Sequence, residues 1–444
     1  MRKRLRYLAI LLFPIACGAQ DPASNGLNLC APAATDATAG HAAITLDQAL
    51  KASLSRRPEL TVSDCEIRAA DGRVLQAGLR PNPQASAEVE NFAGSGSQRG
   101  FQSTETTLSV SQLIELGRKR AKRQSLATSE RDLLIWDKEA RRLEVITDIR
   151  KAFIETLASQ ARVALAEELA NVARSMLRGV AEMVKAGKVS PIEESRATVA
   201  TNRADLTVFE MRSQLTLARQ HLAMQWGDVD ARFERAEGSL DSLPARPELS
   251  ELEQQINDHP ALARWPDEMK RRKSELDLAA AEAIPNLAVS GGIRHFAGDD
   301  DVAMVVGVSV PLPLFNRNQG AILTAQANMD AADASFEVAR RTLLTSIRDQ
   351  YQALNSAAVE EESLRRNTLP LAAQVFEATS TGYRHGKFSL LEVLDAQRTL
   401  FESRSQYVEA QARYQIAIAE LERLTAKSMQ SVHQDKHSDA GETP

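Results

Sequence analysis

The sequence predicts a mainly α fold with a smaller β component, built as two tandem structural repeats. Three observations predict it. The first is a pair of similar junctions 199 residues apart: Lys185-Ala186-Gly187-Lys188-Val189-Ser190-Pro191-Ile192-Glu193-Glu194 and Arg384-His385-Gly386-Lys387-Phe388-Ser389-Leu390-Leu391-Glu392-Val393. The second is a pair of alternating segments, each preceded by a proline break and followed by a very long helical pattern. The third is composition: Ala, Leu, Glu, Arg and Gln dominate and aromatics are only 5%, which favours long helices.

The N-terminus reads as an export leader, residues 1–19. Arg2, Lys3, Arg4 and Arg6 precede the apolar run Tyr7 to Ala16, which is too short to span a bilayer. Cleavage after Ala19 is one reading. Lipidation at Cys17 is the other, with Pro14 standing where an aliphatic residue is expected. No later stretch offers the ~18 consecutive apolar residues of a spanning helix, so a membrane crossing requires β-strands. Beyond the leader only Cys30 and Cys65 remain. An export route permits their pairing, and two free thiols are the alternative. Net charge is −5, which does not suggest a nucleic-acid partner.

Residues 20–43 are rich in Ala, Pro, Asn, Asp and Thr and read as a disordered lead-in. The first repeat covers 44–238. Thr45 can cap a helix that Arg57-Pro58 interrupts and that runs to about Gly78, where Arg80-Pro81-Asn82-Pro83 breaks it. A hairpin over about 84–113 follows. Ala85, Ala87 and Val89 alternate with Ser86, Glu88 and Glu90, and Thr104 to Leu113 alternates again. Strands of about ten residues match the length a tilted strand needs to cross a bilayer. From Arg118 to Lys185 the pattern is helical without proline, on the order of 100 Å of helix. Gly187 stops it. Ser190 and Pro191 start a return helix to Trp226.

A linker spans 239–247, and the second repeat covers 248–426. Its first helix runs from Glu248 to about Ala283 with a break at His259-Pro260, then Ile284-Pro285-Asn286 mirrors Arg80-Pro81-Asn82. A hairpin over about 286–314 has Asp299-Asp300-Asp301 at its tip. The second long helix is expected from Gly320 to His385, with the turn at Gly386 and the return from Ser389 to Thr425. Ser389 and Glu392 have capping-box spacing. In the return helix Val393, Leu400, Tyr407, Tyr414 and Leu421 fall seven apart, beside Ala396, Ser403, Ala410, Ala417 and Leu424. This is a large–small heptad seam of two closely packed helices. The tail 427–444 reads as disordered; His433 and His437 in it have i,i+4 spacing.

No HExxH, GxSxG or catalytic Cys/His context is present, so the expectation is a non-enzyme without cofactor or metal centre. Asp299-Asp300-Asp301 reads as a solvated loop. Gly94-Ser95-Gly96 opens no helix and is a poor phosphate loop.

Helix, hairpin, very long helix, tight turn and return helix, repeated once behind a leader, resembles the TolC-type outer-membrane efflux channel family over essentially the whole chain beyond residue 19. The most specific matches are Tyr383-Arg384-His385-Gly386 with Leu391-Glu392-Val393-Leu394-Asp395-Ala396-Gln397, and Pro311-Leu312-Pro313-Leu314-Phe315-Asn316-Arg317-Asn318. Within the family the chain is most similar to the outer-membrane components of cobalt-zinc-cadmium efflux systems. The resemblance implies a homotrimer in outer-membrane lipid, with three chains completing a twelve-stranded barrel and coiled-coil helices forming a periplasmic tunnel. It implies a passive exit duct that docks on a periplasmic adaptor (membrane fusion protein) and an RND-type, proton-driven inner-membrane pump, exporting heavy-metal cations. Multidrug efflux and type I protein secretion use the same architecture. A periplasmic coiled-coil scaffold is a third class, and it leaves the hairpins unexplained.

The resemblance also implies site residues. The turns at Gly187, Lys188 and Ser190 and at Gly386, Lys387 and Ser389 become adaptor-docking surface, and Glu392 and Asp395 become an aperture ring. Each has a plainer reading beside it. First-turn carboxylates are favoured by the helix dipole and by capping alone, and Lys188 and Lys387 suit a solvated turn. Phe388 and Ser389 stand where family members often carry basic or hydroxyl residues, which leaves the partners that hold the aperture closed unassigned.

Overall fold

The structure is a computed structural model and describes residues 43–427. The leader 1–19, Cys17, Cys30, residues 20–42 of the lead-in, and the tail with His433 and His437 lie outside the described residues. Cys65 is disulfide-bonded.

The first half opens with a short strand β1 (Ala43–Thr45), then α1 (Leu46–Arg56) and α2 (Pro58–Ala77). Thr45 and Gln48 form a reciprocal capping box. Pro58 sits in the first turn of α2, the position proline tolerates. Strands β2 (Gln84–Glu90) and β3 (Glu105–Ile114) form a hairpin. α3 (Lys119–Lys185) then runs 67 residues without a break, on the order of 100 Å. α4 (Pro191–Met224) returns along it. The chain then turns through Gly227 at φ +87° into a short strand β4 (Arg235–Glu237). β4 pairs in parallel with β1, a contact of two three-residue strands too short for periodicity to reveal.

In the second half the expected helix over 248–283 is divided into α5 (Leu249–Gln255), a 3₁₀ turn, α6 (Pro260–Ala263) and α7 (Trp265–Glu282). Pro260 and Pro266 each occupy a first helical turn, so the second proline starts a new helix where sequence periodicity runs on. Strands β5 (Leu287–Phe296) and β6 (Asp301–Ser309) follow, then α8 (Gln319–Ser363), α9 (Leu369–Arg384) and α10 (Leu390–Thr425). The second long helix is therefore not continuous. A π turn over Leu364–Thr368 separates α8 from α9, and the Leu369 N–H reaches back to the Leu364 carbonyl. Pro370, next in the chain, has no N–H to continue the ladder, and a widened turn accommodates its ring.

The long helices pack as antiparallel pairs. α3 is central, lying against α4, α2, α10 and α7, and α10 also packs on α8 and α9. The heptad seam of α10 is buried at every position except Tyr407, which is half-buried. One core gathers Ile149, Phe153, Leu222 and Trp226 near β1 and β4. A second gathers Leu252, Ile347, Leu354, Tyr414 and Leu421. The linker is laid against α10: Tyr414 donates to the Pro244 carbonyl at 2.6 Å and Gln411 to Asp241 at 2.9 Å.

The four longer strands form one antiparallel sheet in the order β2-β3-β5-β6. β3 pairs with β5, so the sheet joins both halves. Its faces differ. Val302, Met304, Val306 and Val308 of β6 share one face and are 66–86% exposed; Leu108, Val110 and Ile293 belong to the same face by register. On the opposite face Arg294 meets Glu105 at 2.8 Å, Glu90 at 3.2 Å and Thr107 at 2.9 Å. An apolar outer face over a polar inner one is the pattern of a barrel wall. Both edges of the sheet, β2 and β6, are unpaired among the described residues. Among the described residues no helix is long and apolar enough to cross a membrane.

Candidate functional site

The site is built where α3 and α9 end, far from the sheet. Two glycines shape it. Gly187 has φ +66° and Gly386 φ +73°, a conformation that other residues adopt only with strain. At the first turn Lys188 N–H donates to the Met183 carbonyl and Gly187 N–H to the Val184 carbonyl, both at 2.9 Å. At the second, Lys387 N–H donates to the Gly382 carbonyl at 2.8 Å and Gly386 N–H to the Tyr383 carbonyl at 2.9 Å. Both are Schellman endings with the same bond pattern.

The restarts differ. Ser389 and Glu392 form a complete capping box: Glu392 N–H donates to Ser389 Oγ at 3.4 Å, and Ser389 N–H donates to Glu392 Oε2 at 2.7 Å. The Ser389 hydroxyl also donates to Oε2 at 2.8 Å. These bonds from Ser389, backbone first, hold the Glu392 carboxyl below its ordinary pKa. Ser190 caps α4 through Ile192 N–H at 3.4 Å. Glu193, the counterpart of Glu392, does not return to its own cap. Its Oε2 accepts from the Tyr383 hydroxyl of the other turn at 2.7 Å. Burial, then the Glu193 carboxylate, push the Tyr383 hydroxyl above its ordinary pKa. Around this bond Val180, Ala197, Leu390 and Val393 form a small apolar core with Tyr383.

The structure brings all eight tip residues named from the sequence to one end of the molecule. Gly187, Lys188, Ser190, Gly386, Lys387 and Ser389 are exposed, as are Glu392 and Asp395. The two carboxylates are not equivalent, since Glu392 is tied to Ser389 and the Asp395 carboxylate makes no hydrogen bond or ion pair among the described residues. Sequence reading missed three features. Tyr383 and Glu193 were visible only as members of motifs, because a contact across 190 residues carries no local signal. Ile192 and Leu391, equivalent positions 199 residues apart, are both more than half exposed beside the turns; their place on the helix face was legible, their lack of cover was not. Phe388 lies over Gly382, where an added Cβ would sit 2.3 Å from the ring. A glycine four residues before the turn glycine was the available signal. Among the described residues no group of three or more His, Cys, Asp or Glu is placed to hold a metal ion.

The model of the outer membrane efflux protein family matches residues 49–228 and 252–427, in both halves. The chain belongs to the outer membrane efflux protein family. It is 31% identical to the cobalt-zinc-cadmium resistance protein CzcC of Cupriavidus metallidurans over 385 residues, covering 86% of this chain and 90% of that protein. It is 25% identical to the nickel-cobalt-cadmium resistance protein NccC of Alcaligenes xylosoxydans xylosoxydans, covering 67% and 69%. Among solved structures, the outer membrane protein VceC of Vibrio cholerae superposes with a TM-score of 0.70 at 18% identity, covering 86% of this chain and 96% of that one. This family member is an outer-membrane channel with a helical tunnel in the periplasm. The sheet and the paired turns lie at opposite ends of the long helices.

Proposed function

We propose that the protein is the exit duct of a tripartite efflux system for divalent heavy-metal cations. The observation that carries this reading is an open sheet, apolar on one face and polar on the other, separated by about 100 Å of helix from two exposed, matching turns. Open edges are not tolerated in lipid, and four strands enclose no lumen. Three copies would supply twelve strands and close the wall. The helices of the three copies would continue as a tunnel through which substrate moves passively.

The turns at Gly187, Lys188 and Ser190 and at Gly386, Lys387 and Ser389 then meet a periplasmic adaptor, which couples the duct to a proton-driven inner-membrane pump. Exposed Ile192 and Leu391 give that surface an apolar component, as a docking site needs. Glu392 and Asp395 line the aperture, where three copies make six carboxylates that concentrate cations. Export through the 1–19 leader, with acylation of Cys17 as its alternative, belongs to the same reading. The metal substrate follows from the likeness to CzcC, a cobalt-zinc-cadmium resistance protein by name.

A deletion strain tests it. Growth across zinc, cobalt and cadmium concentrations should fail at several-fold lower metal than in the parent, with restoration by the gene in trans. Unchanged metal tolerance together with lost drug tolerance or lost protein secretion would overturn the metal assignment.

A further inference from the structure

The segment Pro311–Phe315 leaves β6 as a rigid apolar knob. Leu312 is 76% exposed, Leu314 66% and Phe315 90%. Such exposure in a floppy loop would mean little, but this segment is braced by its own hydrogen bonds. Leu314 N–H donates to the Leu312 carbonyl at 2.9 Å, a tight turn about Pro313. Arg317 Nε donates to the Pro313 carbonyl at 3.2 Å, and Asn318 N–H to Asn316 Oδ1 at 3.0 Å. A preformed apolar projection loses little entropy on being covered.

A receptor of matching character lies at the other edge of the sheet. The chain entering β2 borders a groove of about 550 Å³ in which Leu79, Leu126, Ala127 and Leu278 lie beside Arg73, Arg80, Arg123 and Glu130. Leu79 is half exposed, and Arg80 forms no ion pair among the described residues. Within one chain the knob and the chain entering β2 leave opposite edges of a four-stranded sheet, and Phe315, 90% exposed, does not meet the groove. Between chains the two can meet. β6 runs toward the helices and β2 away from them, so β6 of one copy meets β2 of the next as an antiparallel pair. Prolines end the ladder on both sides, Pro311 and Pro313 after β6 and Pro81 and Pro83 before β2. What emerges from β6 then descends on the Leu79 groove of the neighbour.

The geometry points to a subunit joint at the periplasmic rim of the barrel. The Leu314-Phe315 knob of each copy seats in the Leu79–Leu126 groove of the next, with the phenyl ring open to the Arg80 guanidinium. Each copy gives one knob and one groove, the head-to-tail arrangement that closes a ring. This joint rests on the ring-closure reading above and adds to it the segment that locks neighbouring copies together below the last strand hydrogen bond. An aromatic residue in an apolar pocket flanked by arginine is the usual centre of interface energy.

The test uses full-length protein carrying Leu79→Cys with Leu314→Cys, oxidised in outer-membrane vesicles. The expected result is a covalent ladder of two- and three-copy bands on denaturing gels, collapsed by reductant and absent from either single variant. A wild-type complex of trimeric mass, with no ladder from this pair or from Leu79→Cys with Phe315→Cys, would overturn the joint and leave the ring standing. A wild-type mass of one copy would overturn the ring reading itself. Phe315→Ala should lower the dissociation temperature of the detergent-solubilised complex, with Phe315→Trp restoring it; an unchanged temperature for Phe315→Ala also counts against the joint.

Discussion

The Tyr383 hydroxyl donates to the Glu193 carboxylate at 2.7 Å, and this one bond ties the two helix–helix turns to each other. Tyr383 belongs to the helix ending at Gly386, and Glu193 to the helix starting after Gly187. The equivalent of Glu193 at the second turn, Glu392, is spent on its own cap. The two turns are thus alike in backbone and unlike in how they use the same carboxylate.

Tyr383→Phe removes that tie and keeps the ring in its apolar core. A hydrogen bond to a charged group contributes about 1.5–3 kcal/mol, and half-buried Glu193 can recover water, so the loss should be near the lower figure. Chemical denaturation of the solubilised protein measures it, and bilayer recordings should show longer or larger openings. Because the folded pKa of Tyr383 is raised, the unfolded chain loses this proton first. The stabilisation is full below about pH 10 and falls above it. Identical conductance and stability in the variant would contradict a role for this bond in holding the turns together.

Asp395→Asn should reduce cation preference in bilayers more than Glu392→Gln. Asp395 is exposed and makes no hydrogen bond or ion pair among the described residues, whereas the Glu392 carboxylate is held by the Ser389 N–H and hydroxyl. Glu392→Gln should instead loosen the start of α10, seen as faster amide exchange over the first turn. Reversal potentials that do not move in the double variant would take both residues out of the aperture.

Gly386→Ala and Gly382→Ala fail for different reasons. At Gly386 nothing lies within 4 Å of an added Cβ, so the cost is the left-handed backbone alone, about 1–2 kcal/mol, and Gly386→Asn should cost less. Gly382→Ala drives a methyl into Phe388. In a Phe388→Ala background the same change should become favourable by about 1 kcal/mol, the helix preference of alanine over glycine. A penalty that survives the double variant would contradict the contact.

His259 sets an acid limit on stability. Its Nδ1 accepts from Ala261 N–H at 3.1 Å and caps α6. Burial, and then the Arg423 charge, lower its pKa from 6.5 to about 4. The unfolded chain takes up the proton first as pH falls. The contribution is therefore full above about pH 6.5 and is lost as pH drops toward 4, by about 3 kcal/mol. Thermal melts between pH 4 and 8 should show this slope, and His259→Asn, which keeps an acceptor at the cap, should flatten it.

Periodicity and punctuation made most of the fold legible. Gly187, Gly386, Ser190 and Ser389 are local signals with local causes, and the α10 seam reports burial through a seven-residue repeat. What was not legible depends on distance or on competition. The β1–β4 pair joins three residues to three across 192 positions. The π turn at Leu364 arises where a strong helical pattern meets Pro370, and the pattern alone reads through it. At the tip, Ser190 and Glu193 have the same spacing as Ser389 and Glu392, and yet no second capping box forms. Tyr383, brought in by the fold, took the carboxylate instead.

Recording the purified protein in planar bilayers tests the central claim most directly. The account predicts stepwise, cation-preferring conductance, with longer openings in Tyr383→Phe and a weaker cation preference in Asp395→Asn. No conductance from correctly assembled protein, or conductance indifferent to both residues, would contradict a duct whose narrow end is the turn at Gly386.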